Sequence, residues 1–378
     1  MQVTIEKMVY GGAGLARTDQ GVLFVPRTAP GDVVEVEIYD RKKDYSSARV
    51  TSVIQPSPDR QTTDCPNYDT AGCCHWQHIR YDRQLQIKEA ILRETLRRAG
   101  RIAWDGPIRV ISGPDRNYRL RATFHVRNRR VGFVQERGNT VIPIVECISL
   151  VPELNAFIPE ANRLLASFDE VEEVRVVSGP AVAATFDGRS NGMENPRIRV
   201  NDFVFDMHPD AFFQSNRFLL QQFMNEVLDQ AGAMPKYVLD LFCGSGFFSI
   251  PIAKRAIELL GVESSRIAVR EGRLNADLNA IENVQFVERE VENALKDAEV
   301  KPDLLLLNPP RIGCGKPTAQ LIAKMMVPRM VYVSCNPSTF APEASVFLKQ
   351  GYKLERITMI DQFPNTYHIE MIAAFSLQ

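Results

Sequence analysis

Two residues near the end of the chain have the chemistry of a nucleophile and a base. Cys335 follows an apolar run at 331–334, and Glu370 lies in a hairpin expected between residues 357 and 375. Carbon 5 of uracil becomes nucleophilic when a thiolate adds at carbon 6, and a base must then remove the carbon 5 proton so that the thiol can leave. A cysteine and a carboxylate beside a methyl donor would suit that reaction. The plainer alternatives are a buried thiol at a strand end and a solvent-facing glutamate.

A glycine turn earlier in the chain is the candidate cofactor site. An apolar strand expected over 237–242 breaks at Gly244 and Gly246, and the chain resumes as an apolar helix. A second apolar strand ends in Glu263, 23 residues after Asp240, where a carboxylate can hold ribose hydroxyls. The third glycine of the dinucleotide fingerprint is absent, which disfavours a pyrophosphate cofactor. The pattern therefore favours S-adenosylmethionine (SAM).

A sheet is needed to bring these residues together. Strands and helices alternate from residue 237 onward, which predicts a doubly wound α/β domain over 207–378. The expected strands lie near 237–242, 258–262, 284–287, 302–307, 329–334, 351–360 and 368–376. Ligands of such sheets bind beyond the carboxyl ends of the strands, where Asn308 and Cys335 follow two of these runs.

Two further domains are expected upstream. Residues 1–56 alternate short strands with glycine turns, which predicts an OB-like β-barrel. Such barrels bind single-stranded nucleic acid or serve as packing modules. Residues 57–206 show mixed strands around one helix, which indicates an α+β central domain. A chain of 378 residues is long enough for these domains and their cores.

A cluster of cysteines lies at the start of the central domain. The seven cysteines of the chain form an odd, scattered set, which argues against a disulfide framework. Three cysteines within ten residues favour a metal or iron–sulfur site. The four candidate ligands are Cys65, Cys73, Cys74 and Cys147. His75 and His78 could instead help to bind zinc, and unligated buried cysteines are the third interpretation.

The net charge of −1 hides an uneven distribution. Residues 1–150 carry a net charge of +6 and residues 151–378 a net charge of −7. The segment 116–137 holds seven arginines and one acid, which is consistent with an RNA track or with a basic solvent face. The arginines are Arg116, Arg119, Arg121, Arg127, Arg129, Arg130 and Arg137, and the interleaved aromatics are Tyr118, Phe124 and Phe133.

The sequence shows no sign of a membrane segment. No apolar run approaches the roughly 18 residues of a membrane helix, and the chain opens without a cationic and apolar signal. We therefore expect a cytoplasmic protein with no membrane partner, and a monomer.

Six motifs together resemble the uracil-C5 RNA methyltransferase family. In chain order they are F-F-Q-S-N at 212–216, D-L-F-C-G-S-G at 240–246, G-V-E at 261–263, N-P-P-R at 308–311, S-C-N-P at 334–337 and H-I-E at 368–370. Near the N-terminus, Y-G-G-A-G-L-A-R and V-P-R-T-A-P-G-D resemble the TRAM domain of RNA-modifying enzymes. The resemblance covers essentially the whole chain. It implies a class I SAM-dependent methyltransferase that acts on 23S rRNA or, as the alternative, on the T-loop of tRNA.

The resemblance also implies roles for individual residues. Cys335 looks like the nucleophile and Glu370 like the proton acceptor. The positions that match SAM contacts of the family are Gln214, Phe242, Glu263 and Asn308. The TRAM-bearing rRNA branch of the family further implies a [4Fe-4S] cluster, here on the four cysteines named above.

Three departures from the family pattern accompany the resemblance. Asn308 stands where the family usually has Asp, so the position lacks its charge. Phe247 replaces a residue that is usually polar. The usual C-x5-C-x2-C spacing is altered, because position 71 is Ala and the middle cysteine falls at Cys73, beside Cys74.

Three other functions remain open at this stage. An amino-group methyltransferase would have an aromatic residue after Asn-Pro-Pro, where this chain has Arg311. A cytosine-C5 RNA methyltransferase would carry a cysteine directly after its proline, and Cys314 is displaced from there. A non-catalytic RNA-binding protein with a residual SAM pocket is the alternative from a different class.

Overall fold

The chain forms two compact units in the computed structural model, which describes residues 1–136, 138–232, 234–296 and 301–378. The first unit comprises Met1–Glu94, Phe133–Ile144 and Phe363–His368, and the second comprises Thr95–Gly132, Val145–Gln362 and Ile369–Gln378. Arg137, one of the seven arginines, lies outside the described residues. No helix in the described ranges has the length and apolar character to cross a membrane.

The first unit is built largely from short strands. They are β1 (Gln2–Thr4), β2 (Lys7–Met8), β3 (Gly14–Thr18), β4 (Gly21–Val25), β5 (Val33–Arg41) and β6 (Tyr45–Gln55). The strands form one sheet in the order β1-β5-β6-β4-β3-β2. Alternating apolar residues, among them Ile5, Leu23 and Val34, pack into a buried cluster. Helix α1 (Tyr81–Thr95) follows.

Between residues 96 and 206, the part of the chain that the structure describes forms a π-helical turn, nine strands and one helix. In chain order these are the turn Leu96–Gly100, β7 (Ile108–Ile111), β8 (Arg121–Arg127), β9 (Arg130–Val134), β10 (Val141–Pro143), α2 (Pro152–Leu164), β11 (Glu173–Ser178), β12 (Val182–Phe186), β13 (Arg189–Ser190), β14 (Arg197–Val200) and β15 (Phe203–Asp206). A short 3-10 turn, Leu165–Ser167, extends α2. Strand β11 pairs antiparallel with β8 and with β12.

A mixed eight-stranded sheet is the centre of the second unit. Its later strands are β16 (Tyr237–Leu241), β17 (Glu258–Glu263), β18 (Val284–Glu288), β19 (Leu304–Leu307), β20 (Arg329–Ser334), β21 (Tyr352–Ile360) and β22 (Glu370–Leu377). The helices are α3 (Leu220–Ala231), α4 (Ser249–Ala253), α5 (Arg266–Leu278), α6 (Val291–Lys296), α7 (Lys316–Lys324) and α8 (Pro337–Lys349). The strand order is β18-β17-β16-β19-β20-β22-β21-β7. The predicted doubly wound α/β fold is confirmed.

The edge strand β7 joins this sheet from far upstream in the chain. It pairs in parallel with β21, from Ile108 against Ile357 to Ile111 against Ile360. A four-residue run with two buried positions has too little periodicity to reveal its partner, so the sequence indicated a strand in this region without assigning it to the sheet.

Buried strands and capped helices fix the edge of the sheet where ligands bind. All four leucines of β19 are buried, as expected for a strand covered on both faces. The Ser265 hydroxyl accepts a hydrogen bond from the Ala268 amide at 3.3 Å and caps α5, while the Asn336 side-chain oxygen accepts one from the Ser338 amide at 3.0 Å and caps α8. Because of these caps, the two helices begin directly after β17 and β20.

Candidate active site

The residues predicted to form the site lie at one edge of the sheet in the second unit. Phe242, Glu263, Asn308 and Cys335 stand at or just beyond the carboxyl ends of β16, β17, β19 and β20, which are neighbours in parallel. Glu370 begins β22, which runs antiparallel to β20, so its first residue lies at the same edge. The strand order therefore brings together five side chains that are far apart in sequence.

The glycine turn and Glu263 are joined by backbone hydrogen bonds. The Gly244 amide donates to Glu263 Oε2 at 3.1 Å, and the Ser265 amide donates to Oε1 at 2.8 Å. Both carboxylate oxygens are thus held in place at the end of β17. A fixed carboxylate beside a glycine turn fits the ribose hydroxyls of an adenosine cofactor.

The backbone of this turn is strained and tightly packed. Phe242 has φ of 61°, a left-handed conformation that is unusual for a bulky residue and typical of functional turns. A side chain at Gly246 would place its Cβ 2.8 Å from the Phe286 ring, so the turn requires glycine there.

The buried carboxyl group of Asp240 stabilises the glycine turn. The Ser249 hydroxyl donates a hydrogen bond to Asp240 Oδ2 at 2.5 Å, and this contact joins the strand before the turn to the helix after it. Burial raises the pKa of Asp240 to about 7.

The segment that contains Gln214 is attached to the same turn. The Ser245 hydroxyl donates to the Phe212 carbonyl at 3.2 Å. Phe213 and Phe247 meet edge to face, with ring centroids 5.2 Å apart. Phe247 is buried in this aromatic contact, which explains why an apolar side chain occupies a position that is usually polar in the family. Gln214 itself is buried.

The register of β20 and β22 places Cys335 opposite Glu370. The last rung of this antiparallel ladder pairs Ser334 with Met371. One step further, the register sets Cys335 against Glu370, and cross-strand neighbours have adjacent side chains. On its other side, Glu370 is paired with Ile360 of β21.

Burial keeps protons on both residues. It raises the pKa of Glu370 to about 8, and the Arg311 charge opposes that rise. Burial and then the Glu370 charge raise the pKa of Cys335 to about 12. Arg311 lowers the pKa of Cys335 through its charge and through a hydrogen bond from its guanidinium to the sulfur. At neutral pH, the Cys335 thiol of the ligand-free chain is therefore protonated, and so is the Glu370 carboxyl group in most molecules.

Arg311 is a site residue that sequence reasoning missed. The sequence analysis used it only as evidence against an amino-group methyltransferase. The structure connects its loop to that of Cys335, because the Asn336 side-chain amide donates to the Arg311 carbonyl at 2.9 Å. The available signal was its position directly after Asn-Pro-Pro, at the end of a strand that neighbours the cysteine strand.

Gln362 is a second residue that the sequence did not reveal. It follows β21 by two residues and is 1% exposed. Within the described part of the chain, neither its side-chain oxygen nor its side-chain nitrogen has a hydrogen-bond partner. Such a buried amide costs folding free energy, which makes it a candidate for contact with a ligand.

The predicted metal ligands do not form a metal-binding group. Across the described residues, no three His, Cys, Asp or Glu side chains are arranged to hold a metal ion. Cys65, Cys73 and Cys74 belong to the first unit, and Cys147 belongs to the second. No chemical step below depends on a cluster at these cysteines.

His78, part of the zinc alternative, is engaged in protein contacts. Its Nε2 donates to the Thr28 carbonyl at 3.0 Å, and its Nδ1 lies 2.5 Å from the Tyr68 hydroxyl oxygen. Burial lowers the pKa of His78 to about 4. Both ring nitrogens thus have protein partners, and the structure gives this histidine no role as a zinc ligand.

The arginine-rich segment is largely an ordinary hairpin. Its aromatic residues Tyr118, Phe124 and Phe133 are buried, so they offer no stacking surface for bases. Arg121 is also engaged internally, because its guanidinium donates to the Ala211 and Pro209 carbonyls. Of the exposed arginines, Arg127, Arg129 and Arg130 lie around the turn between β8 and β9, and Arg116 lies before β8. The interleaved aromatic residues therefore belong to the core, and an RNA track along the exposed arginines stays a prediction.

Comparisons with known proteins identify the family. A family model described as tRNA (Uracil-5-)-methyltransferase matches residues 187–375, and a model of the tRNA (uracil(54)-C(5))-methyltransferase TRAM domain matches residues 1–58. A protein named "Uncharacterized RNA methyltransferase" from Aquifex aeolicus is 33% identical, with 100% of this chain and 99% of that protein covered. The 23S rRNA (uracil(1939)-C(5))-methyltransferase RlmD of Vibrio parahaemolyticus is 31% identical, with 99% of this chain and 95% of that protein covered.

A solved structure shares the fold along the whole chain. It is the Pyrococcus abyssi tRNA (uracil-54, C5)-methyltransferase in complex with S-adenosyl-L-homocysteine, with 24% identity and a TM-score of 0.76. The match covers 99% of this chain and 100% of that one. This match shows the shared fold, and the family models and the relatives confirm the resemblance stated above. This chain, with a TRAM domain at its N-terminus, belongs to the tRNA (uracil-5-)-methyltransferase family and is an RNA (uracil-C5)-methyltransferase.

Proposed function

We propose that the chain methylates carbon 5 of a uridine in RNA through a covalent adduct on Cys335. The observation that carries the proposal is the grouping of Cys335, Glu370 and Arg311 at one edge of the sheet. A thiol alone would be unremarkable at a strand end. A thiol opposite a buried carboxyl group, with a guanidinium acting on both, has the components of nucleophilic catalysis followed by proton removal.

Cys335 and Arg311 act in the first half of the reaction. Cys335 loses its proton to solvent, and the Arg311 charge stabilises the thiolate. The sulfur then forms a bond to carbon 6 of the uracil, while the electrons of the carbon 5–carbon 6 double bond move toward the carbonyl at carbon 4. This step makes carbon 5 nucleophilic.

Glu370 acts in the second half. SAM, when bound, would supply an electrophilic methyl group to carbon 5 and would leave as S-adenosylhomocysteine once its carbon–sulfur bond breaks. The Glu370 carboxylate removes the proton from carbon 5, the released electron pair restores the double bond, and the Cys335 thiolate leaves. The raised pKa of Glu370, about 8, makes it a stronger base than an exposed glutamate once it has ionised.

Four residues are proposed to hold SAM. Glu263 would bind the ribose hydroxyls, since its carboxylate is oriented by the Gly244 and Ser265 amides. Phe242, Gln214 and Asn308 would line the rest of the site. The Asn308 side chain makes no hydrogen bond to the described residues, so its amide is available to a ligand.

We propose 23S rRNA as the substrate. The 31% identity to the Vibrio parahaemolyticus 23S rRNA enzyme extends over 99% of the chain and supports this choice. The alternative is uridine 54 of tRNA, the substrate named for the Pyrococcus abyssi protein. Residues 1–56 and 57–206 would serve RNA binding and recognition, and residues 207–378 the chemistry. Methyl mapping of both RNAs from a deletion strain distinguishes the two substrates.

The [4Fe-4S] cluster stays a prediction from the family resemblance. Protein purified without oxygen should be brown and hold about four iron atoms per chain if the cluster forms. Zinc in place of iron would favour a zinc site. Neither metal at stoichiometric level would leave the cysteines Cys65, Cys73, Cys74 and Cys147 as structural residues.

A trapping experiment tests the chemistry. RNA that carries 5-fluorouridine at the target position has no carbon 5 proton to lose, so with SAM it should remain bound to Cys335. The adduct should disappear in Cys335→Ala and persist in Cys314→Ala, a control that removes another thiol of the second unit. Glu370→Gln should accumulate adduct with ordinary RNA and lose turnover. Well-folded wild-type protein that forms no adduct would overturn the mechanism.

A further inference from the structure

A groove of about 490 Å³ lies next to the candidate active site, within the second unit. Its walls come from the π-helical turn Leu96–Gly100, the residues after β19, the start of α7 and the exposed side of α8. The turn packs closely on α8, since a Cβ at Gly100 would lie 2.8 Å from the Ala341 carbonyl oxygen. The walls of the groove are therefore held together by close backbone packing.

The groove carries a local excess of positive charge. Three exposed cations line it, namely Arg101, Lys316 and Lys349, and none of them forms an ion pair with the described residues. The one carboxylate in the lining, Glu343, is buried with both oxygens engaged, by the Gly315 amide at 2.8 Å and by the Tyr332 hydroxyl. Lys316 and Lys349 belong to residues 151–378, which carry a net charge of −7, so the groove departs from the overall charge of that part of the chain.

Hydroxyl groups add neutral hydrogen-bond donors to the same lining. Ser338, Thr339 and Ser345 face the groove alongside the three cations. Lysine, arginine, serine and threonine side chains are the usual partners of nucleic-acid phosphates. The composition is thus suited to a phosphate backbone and not to an apolar ligand.

The groove is continuous with the catalytic loops. Ser338 and Thr339 follow Cys335 in the first turn of α8, and the Thr339 hydroxyl lies 3.4 Å from the Arg311 carbonyl, to which it donates. Ile312, the residue after Arg311, lines the groove and is 81% exposed. A strand whose uridine reaches Cys335 has this groove as an adjacent path along the protein.

We propose that this groove binds the phosphates of the RNA strand next to the target uridine. The inference rests on the proposed function, since it takes RNA as the ligand and Cys335 as the point where the base is held. Enzymes that act on a base draw it out of its stack, and phosphate contacts on the flanking nucleotides hold the strand in register while they do so.

Charge-neutralising variants test the groove. The triple variant Arg101→Gln, Lys316→Gln, Lys349→Gln removes its cations, and Lys324→Gln is the matched control, because it lies at the far end of α7 from Lys316. The probe is a transcribed 23S rRNA fragment that contains the target uridine, measured by equilibrium binding across a salt series. The triple variant should bind at least tenfold more weakly and lose about 2 from the slope of log affinity against log salt, at roughly 0.7 per phosphate contact.

Binding needs no turnover, so this experiment is separate from the trapping experiment. With saturating RNA, the triple variant should still form the 5-fluorouridine adduct at the wild-type rate. Unchanged affinity and salt slope would overturn the groove as an RNA site, as would an equal loss in Lys324→Gln. A loss of adduct at saturating RNA would also overturn it, because it would mean that the Arg311 loop had been disturbed. If the wild type binds RNA and forms no adduct, the mechanism fails while the groove stands.

Discussion

The two halves of the candidate site differ in how their charged groups are satisfied. In the donor half, where SAM would bind, both oxygens of Glu263 accept hydrogen bonds from backbone amides, at 3.1 and 2.8 Å. On the acceptor side, Glu370 and Cys335 share one cation, Arg311, and burial raises the pKa of both. The charged group of the donor half thus has its hydrogen-bond partners in the ligand-free chain. In the acceptor half, where the uracil would bind, burial instead disfavours the charged forms of Glu370 and Cys335.

This difference suggests how the enzyme avoids unproductive chemistry. A thiol with a pKa of about 12 is a weak nucleophile until its surroundings change. Bound uracil would displace water and align with the sulfur, so the Arg311 charge would count for more in the drier site. Under the proposed mechanism, the SAM site is ordered before any ligand binds, whereas Cys335 becomes an effective nucleophile only with substrate present.

Removal of Arg311 should have the largest effect on the comparison. Arg311→Met should lower kcat/KM by roughly 10²- to 10³-fold, because the thiolate and the developing negative charge lose their cation. The pH profile of kcat/KM should also move. In the wild type the rate should rise through a pH of about 8 as Glu370 ionises, and in the variant the rise should come at higher pH, because Arg311 lowers both pKa values.

Arg311→Lys is the matched control for charge without the planar hydrogen-bonding group. It should keep the pH profile near that of the wild type and recover part of the rate. A fall in rate with the same pH profile in the Met variant would mean that Arg311 only shapes its loop. The contrast between the two halves would then lose its electrostatic basis.

Glu263 tests the donor half. Glu263→Gln replaces one accepting oxygen with an amide NH₂ group, so one of the Gly244 and Ser265 amides loses its partner. The dissociation constant for SAM should rise about tenfold, which corresponds to about 1.4 kcal/mol. Calorimetric titration with SAM measures it. RNA affinity should stay at the wild-type value, and a matching loss of RNA affinity would show that the two halves are not independent.

The pH dependence of stability sharpens the acceptor half. Glu370 keeps its proton up to a pH of about 8 in the folded chain, while an unfolded glutamate releases it near its ordinary value. Between these two values the folded state holds the extra proton, so the free energy of unfolding falls as the pH rises. Glu370→Gln should remove this decline, which has a limiting slope of about 1.4 kcal/mol per pH unit.

Urea unfolding of both proteins from pH 5 to pH 9 provides the measurement. The difference between variant and wild type should grow up to a pH of about 8 and then level off. Asp240, whose pKa burial also raises to about 7, stays in both proteins and cancels in the difference. A difference that does not change with pH would mean that Glu370 is ionised in the folded chain.

Sequence patterns located the strand ends but not the interactions across them. The alternation of strands and helices predicted the sheet, and the motifs put Cys335 and Asn308 at strand ends. The pairing of Cys335 with Glu370 depends on the register of β20 and β22, which no local pattern reports. The role of Arg311 was missed for the same reason, since its effect on both groups arises only when β19 and β20 are side by side.

The remaining differences between the sequence-based expectations and the structure concern which side chains are buried and how far apart they lie. In the arginine-rich segment the aromatic residues alternate with arginines, and period-2 alternation in a strand sends such apolar residues into the core, where Phe124 is 0% exposed. Whether the cysteines can bind a metal also depends on the distances between their sulfur atoms, which the sequence spacing does not give. Local sequence patterns therefore predicted the strands and helices well. Which polar side chains lie close together depends on three-dimensional contacts that these patterns do not report.

Gln362 gives the smallest expected effect and tests whether its buried amide serves a ligand. Its buried amide has no partner among the described residues, and an unsatisfied buried polar group costs about 1–3 kcal/mol. Gln362→Met keeps the approximate volume and removes that cost, so the unfolding midpoint should rise by a few degrees. If the amide serves the uracil, KM for RNA should rise in the same variant while SAM affinity stays constant. A midpoint that does not rise would show that the amide is already satisfied without RNA, and Gln362 would then no longer be a candidate for contact with a ligand.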